Sequence, residues 1–195
     1  EISRCDWSSD VCSSDLKHLL ELGHRHFLYL PGPKYNLSQT RRYAGIMDAL
    51  SEANVPASNI REIDYHTVFG SSAESTSSYK PYEELFFPVN YTAVIGFNDL
   101  QSYSAMEILQ KKGYRIPEDI SLISFDHLRK THTYLPPLTS IADNSEKSIA
   151  DTAVSILLDK IRNPSSEISS EVLPVSIFDD HTTGPINETF AHSFE

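Results

Sequence analysis

The stretch TAVIGFNDLQSYSAMEILQKKGYRIPEDISLISF, Thr92–Phe125, decides the fold. Thr92–Phe97 and Ile120–Phe125 are apolar runs of strand length, and between them Ala105, Ile108 and Leu109 recur at helical spacing over Leu100–Lys112. Gly113 stands just past that helix, where a left-handed residue closes it. Strand, helix, strand over so short a span is a βαβ unit, and such units build parallel sheets.

Working outward, the same alternation recurs. Leu16, Leu19 and Leu20 form the apolar stripe of a helix that Gly23 terminates, and Phe27–Leu30 is a buried strand closed by the turn residues Pro31, Gly32 and Pro33. Ser38 is expected to cap a helix whose apolar positions Ala44, Met47 and Leu50 fall at helical spacing, stopped by Pro56. Ile60–Ile63 reads as a short strand, and the Ser/Tyr-rich stretch Gly70–Asn90, with Pro81 and Pro88, as a broken or short helix. Downstream come a short strand at Thr139–Ile141 and a helix from about Ser145 to Ile161, with Ile149, Ala153, Ile156 and Leu157 on one face. Asn163 and Pro164 end that helix, and a last strand lies within Glu171–Phe178. Residues 184–195 read as a frayed polar tail. The expected fold is α/β, a doubly wound, mostly parallel sheet flanked by helices.

Composition bounds the function. With 39% hydrophobic and 22% charged residues over 195, the chain suits a globular domain and is neither disordered nor fibrous. No apolar run approaches the roughly 20 residues of a membrane helix. A net charge of −11 repels a phosphate backbone, so the chain by itself is not expected to grip DNA.

Glu1–Leu16, EISRCDWSSDVCSSDL, departs from everything that follows. It lacks periodicity, holds the single Trp and both Cys, and resembles a translated sequencing-library adapter from Asp6 onward. It has neither the apolar region nor the cleavage site of a secretory signal. The expected division is therefore 1–16 as non-native sequence, 17–183 as the domain and 184–195 as the tail. Cys5 and Cys12 then carry no information about redox compartment.

In open parallel sheets, ligands sit beyond the carboxyl ends of the strands. Asn98 and Asp99 follow one strand, Asp126 and His127 another, and the loop after Leu30 leads to Ser38, Arg41 and Arg42. Arg, Asn and Asp together offer donors and acceptors for the vicinal hydroxyls of a sugar or the edge of a heterocycle. Against this stands the commoner role of Asx residues as turn and helix caps, and Arg42 with Asp126 would also pass for a surface ion pair of little worth. Catalytic signals are weak. No GxSxG, GxxxxGK or dinucleotide fingerprint occurs, and the pairs His24/His26 and His127/His132 lack metal-ligand spacing and read as solvated loop histidines. An enzyme, a metal and a cofactor are not expected.

LLELGHRH from Leu19, the Arg42–Gly45 spacing, AVIGFND from Ala93, GYRIPEDISLISFD from Gly113 and LPPLTSI from Leu135 resemble the lactose-repressor/galactose-repressor (LacI/GalR) family of bacterial regulators. The likeness runs from Leu16 to about Thr183. It implies a periplasmic-binding-protein-like, type I fold, with the whole C-terminal subdomain and remnants of the N-terminal one. It also implies a sensor for a small molecule such as a sugar, in a cytoplasmic, dimeric repressor that touches operator DNA only through a separate helix-turn-helix headpiece. By matching position, Arg42 and Asp126 correspond to the principal effector-binding pair, Asn98 to a ligand-contacting Asn, Ser38 to a polar contact, and Tyr65 to a ring-stacking aromatic. Ser145 stands where some sugar-responsive members carry an aromatic. The helix ending at Ile161 would expose Ile149, Ile156 and Leu157 without a partner subdomain. The alternative is a periplasmic sugar-binding receptor of a transporter, which shares the fold and the site.

Overall fold

Phe27–Leu30, Ala93–Gly96 and Ser121–Phe125 are buried at every position, which requires a sheet covered on both faces. The computed structural model describes residues 14–33, 35–63, 84–144, 149–165 and 173–191. In chain order these form α1 (Ser14–Glu21), β1 (Phe27–Leu30), α2 (Leu37–Glu52), β2 (Ile60–Glu62), β3 (Ala93–Gly96), α3 (Asp99–Lys111), β4 (Ser121–Phe125), β5 (Ser140–Asp143), α4 (Ile149–Arg162), β6 (Val175–Phe178) and α5 (Glu188–Ala191). The strands make one six-stranded sheet in the order β2-β1-β3-β4-β5-β6, parallel except for β6, which runs antiparallel to β5.

Side chains alternate between faces along each strand. Leu28, Leu30, Val94 and Leu122 join Ala105, Met106 and Leu109 of α3 in one core layer. Phe27, Tyr29, Ile95 and Ile123 join Leu16 and Leu19 of α1 and Ile46 and Leu50 of α2 in the other. The chain thus leaves β1 for one face and the adjacent β3 for the other. The crevice between their carboxyl ends is the topological switch point, where α/β sheets hold ligands.

The described elements follow the sequence reading closely, with four corrections. The cap of α2 is Asn36, whose side chain accepts from the Ser38 backbone N–H; Ser38 itself lies in the first turn. Asx at this position leads all caps because its short acceptor reaches the second or third N–H. Secondly, α1 starts inside the segment set aside as adapter: Asp15 and Leu16 are fully buried. Burial pushes the Asp15 carboxyl up to about 7, against the pull of Arg42. Thirdly, residues 184–191 are docked. The Ile186 N–H donates to Leu22 O at 3.0 Å, Asn187 Nδ2 donates to Glu118 O at 3.1 Å, and Phe190 meets Tyr114 edge-on at 5.9 Å. Two apolar side chains in a polar tail are enough to hold it. The approach is close at Gly23, φ +96°, where a Cβ would sit 2.9 Å from Ile186 Cγ2. The stretch 64–83, with Tyr65, and residues 145–148, with Ser145, lie outside the described residues.

The fourth correction concerns His24, which is a core residue at 2% exposure. Its Nε2 lies 3.0 Å from Gly184 O, which can only accept, so Nε2 carries the proton and Nδ1 accepts from the Thr92 hydroxyl at 2.8 Å. Ser121 Oγ completes the cluster, 3.0 Å from Nε2. His24 thereby ties the loops before β1 and β3 and the first residue of β4 to the returning chain. On α4, Thr152 is buried, while Ile149, Val154, Leu157, Leu158 and Ile161 are exposed and Ile156 is half-buried. The unpartnered face expected from the sequence is present, except at Ile156.

Burial holds His24 down at about 4 from 6.5, so the unfolded chain binds its proton more readily and His24 costs stability as pH falls from 6.5 to 4. Asp15, raised to about 7, has the opposite slope, so the whole protein conceals the effect. Urea unfolding of wild type and His24→Gln isolates it. Their stability difference should grow with pH between 4 and 6.5 by up to ~3 kcal/mol, and a difference independent of pH would contradict the buried neutral imidazole.

Candidate functional site

Beside the switch point, an aromatic closes each of two adjacent strands: Phe97 directly follows β3 and Phe125 ends β4. Between their rings lies the guanidinium of Arg42 from α2, 4.5 Å from the Phe97 centroid and 4.1 Å from that of Phe125. The Arg42 side chain is 5% exposed. Its Nη1 donates to the Phe97 carbonyl and its Nη2 stands 3.9 Å from Asp126 Oδ1. A flat cation held by two ring faces and a carbonyl is a buried, oriented donor, which removes the reading of a loose surface pair. Gly32 permits the arrangement. A Cβ there would lie 2.7 Å from the Phe97 ring, so only glycine lets β1's exit loop pass behind it.

Asp126 keeps 44% of its side chain in water. Partial desolvation raises its carboxyl above the usual carboxylate range, Arg42 opposes this and Asp99 adds to it. Its backbone is left-handed, φ 102°, as is that of His127, φ 50°. Two such non-glycine residues in succession are uncommon, and the turn they make aims the carboxylate back toward Arg42.

Asn98 caps α3, its Oδ1 accepting from the Gln101 N–H at 3.0 Å. The commoner role of Asx after a strand is therefore real here, and it occupies the oxygen while fixing the side chain beside Phe97. Ser38 lies one helical turn before Arg42, on the same face of α2. The structure thus brings Arg42 and Asp126 into direct contact, with Asn98 and Ser38 adjoining. Tyr65 is outside the described residues.

The family model for the periplasmic binding protein-like domain matches residues 16–183. The chain belongs to that family. Periplasmic-binding-protein-like domains of this kind occur in LacI-family regulators. The chain is 34% identical over 162 residues to the HTH-type transcriptional repressor PurR of Escherichia coli, covering 81% of this chain and 45% of that protein. It therefore spans less than half the length of that relative. Among solved structures, a LacI-family regulator from Enterococcus faecium with bound ribose superposes at TM-score 0.72 and 25% identity, over 92% of this chain and 65% of that one. The dimeric lac repressor does so at 0.73 and 26%, over 92% and 62%.

Several residues of this candidate site escaped the sequence reading. Gln39, buried beneath the exit of β1, accepts from Tyr29 Oη at 2.8 Å and from the Gly32 N–H at 2.7 Å. Asp99, noted only as a neighbour of Asn98, is buried and accepts from the Leu128 N–H at 2.7 Å and Ser140 Oγ at 2.8 Å. His127, expected to be solvated, stacks on Phe178 with centroids 4.3 Å apart and planes at 14°. One signal for the site was present: an aromatic immediately before each candidate Asx. Among the described residues no cluster of three His, Cys, Asp or Glu could hold a metal ion.

Arg42 and Asp126 should separate in stability measurements. Arg42→Ala empties the space between two rings and orphans a buried carbonyl, and should cost ~2 kcal/mol in urea unfolding. Asp126→Ala removes a half-exposed partner and should cost less than ~1 kcal/mol. Equal losses would contradict the burial difference.

Proposed function

We propose that residues 17–183 form the small-molecule-sensing domain of a LacI/GalR-type DNA-binding transcriptional regulator, acting in the cytoplasm as a homodimer and without catalysis. The observation that carries the reading is the buried, ring-stacked Arg42 facing Asp126 at the switch point. Such a pair hydrogen-bonds both the oxygen and the hydrogen of a ligand hydroxyl or heterocycle edge. Asn98 and Ser38 supply further polar contacts, and Tyr65 a ring face for the apolar side of a sugar. The similarity to PurR repressors and to a ribose-bound LacI-family regulator supports a regulator over a transporter's receptor.

In this reading, ligand in the cleft favours one arrangement of two subdomains. Its differential affinity for that arrangement shifts operator binding by a helix-turn-helix headpiece of the full-length protein. The acidic chain makes no DNA contact itself. No helix among the described residues is long and apolar enough to cross a membrane.

The test is calorimetric titration of the full-length protein with ribose and other neutral monosaccharides and with purine bases, followed by a mobility shift on its upstream DNA. Asp126→Ala should weaken the binding of whichever ligand is found by roughly 10- to 100-fold, the cost of an unpaired buried partner. Unchanged affinity in that variant would refute the site, and ligand-independent DNA binding would refute the sensor.

A further inference from the structure

The carboxyl group that presents Asp126 is not at the ligand face but behind it. Asp99 opens α3 at 1% exposure, and three observations converge on it. Its Oδ2 accepts from the Leu128 N–H at 2.7 Å. Its Oδ1 accepts from Ser140 Oγ at 2.8 Å, and that hydroxyl in turn accepts from the His127 N–H at 3.0 Å. The two amides that immediately follow Asp126 are therefore held by one buried carboxylate, one directly and one through a single hydroxyl.

This matters because Asp126 and His127 are both left-handed. A non-glycine residue in that region persists only where its surroundings over-determine it. Here the over-determination is visible. The Asp126 N–H is taken by Ile141 O at 3.0 Å on β5, and the next two N–H groups are drawn toward α3 by Asp99. With three successive amides fixed, the direction in which the Asp126 side chain leaves the backbone is fixed as well, and its carboxylate lies 3.9 Å from Arg42.

We infer that Asp99 is a positioning residue. It fixes the left-handed Asp126–His127 turn and so sets the direction from which Asp126 meets a bound ligand. The second half of that statement rests on the ligand site proposed above; the first does not.

Residue-resolved amide exchange tests the first half without any ligand. In wild type, His127 and Leu128 N–H should be protected. Ser140→Ala should speed exchange at His127 at least 10-fold and leave Leu128 protected, whereas Asp99→Ala should release both, with Leu122 and Ile123 in β4 unchanged. That split is what general loosening of the fold would not produce. If Asp99→Ala lost protection in β4 as well, Ser140→Ala alone would decide. Unprotected amides in wild type, or no change at His127 in Ser140→Ala, would overturn the inference.

The second half is read by titrating ribose into the full-length protein. Asp99→Ala and Asp126→Ala should each weaken binding at least 10-fold, and the double variant should be no weaker than Asp126→Ala alone. Full additivity would overturn the positioning role. Ribose affinity untouched by Asp126→Ala would overturn the ligand site instead, leaving the exchange result to stand by itself.

Discussion

The Arg42 guanidinium, clamped between Phe97 and Phe125, is the contact on which the rest of the site depends. It cannot form unless α2 crosses one face of the sheet while β3 and β4 end level with it, which the order β2-β1-β3-β4 provides. Nor can it form unless the chain after β1 comes close enough to back the Phe97 ring, which Gly32 allows. Arginine suits the place better than lysine would. Its charge is spread over a plane that matches two ring faces and is weakly hydrated, so burial costs it less. The same planarity leaves its N–H groups pointing along the sheet edge, at the Phe97 carbonyl and at Asp126.

Charge balance around that cation follows. Asp15, Asp99 and Asp126 all have carboxyl groups raised above the ordinary range, each chiefly by loss of water. Arg42 pulls Asp15 and Asp126 back down, while Asp99 pushes Asp126 up. A ligand bearing its own negative charge would compete with these carboxyls for the guanidinium. A ligand bearing hydroxyls accepts from Arg42 and donates to Asp126 without adding charge to a poorly hydrated place. In the proposed reading a neutral, hydroxyl-bearing ligand is therefore the one that suits the partial burial of these carboxyls.

Much of this was legible in the amino-acid sequence, because it is local. Continuous apolar runs require a sheet covered on both faces, and glycines past helix ends require left-handed caps; Gly23 and Gly113, at φ +96° and +91°, are both found there. Asp126 was legible as a polar residue at a strand end, Arg42 as a polar residue on the helix that follows the first strand's exit loop, and both by family position. Three features were not. His24 has no local pattern to mark it as buried, since its partners Thr92, Ser121 and Gly184 lie 68 to 160 residues away. Asp99 beside Asn98 looks like one more turn residue, and only the fold reveals that its two oxygens reach Leu128 and Ser140. The docking of residues 184–191 turns on Ile186 and Phe190, two apolar side chains too few to make a periodic signal.

One connection joins the site to the part of the molecule that is left uncovered. His127, adjacent to Asp126, stacks on Phe178, the last residue of β6, and β6 is the strand by which the chain returns after α4. A rotation of the Asp126–His127 turn therefore displaces a ring on β6, and β6 pairs along its whole length with β5. The rings lie 4.3 Å apart with planes at 14°, so the turn and β6 are in direct contact and are not joined only through a loop. Asp99 holds the two amides behind the turn and so the residue that carries the stacked ring. In the proposed reading α4, with Val154, Leu157 and Ile161 in water, is the helix that precedes this strand, so the chain after its apolar face runs through the strand whose last ring packs against the neighbour of the ligand-facing Asp126.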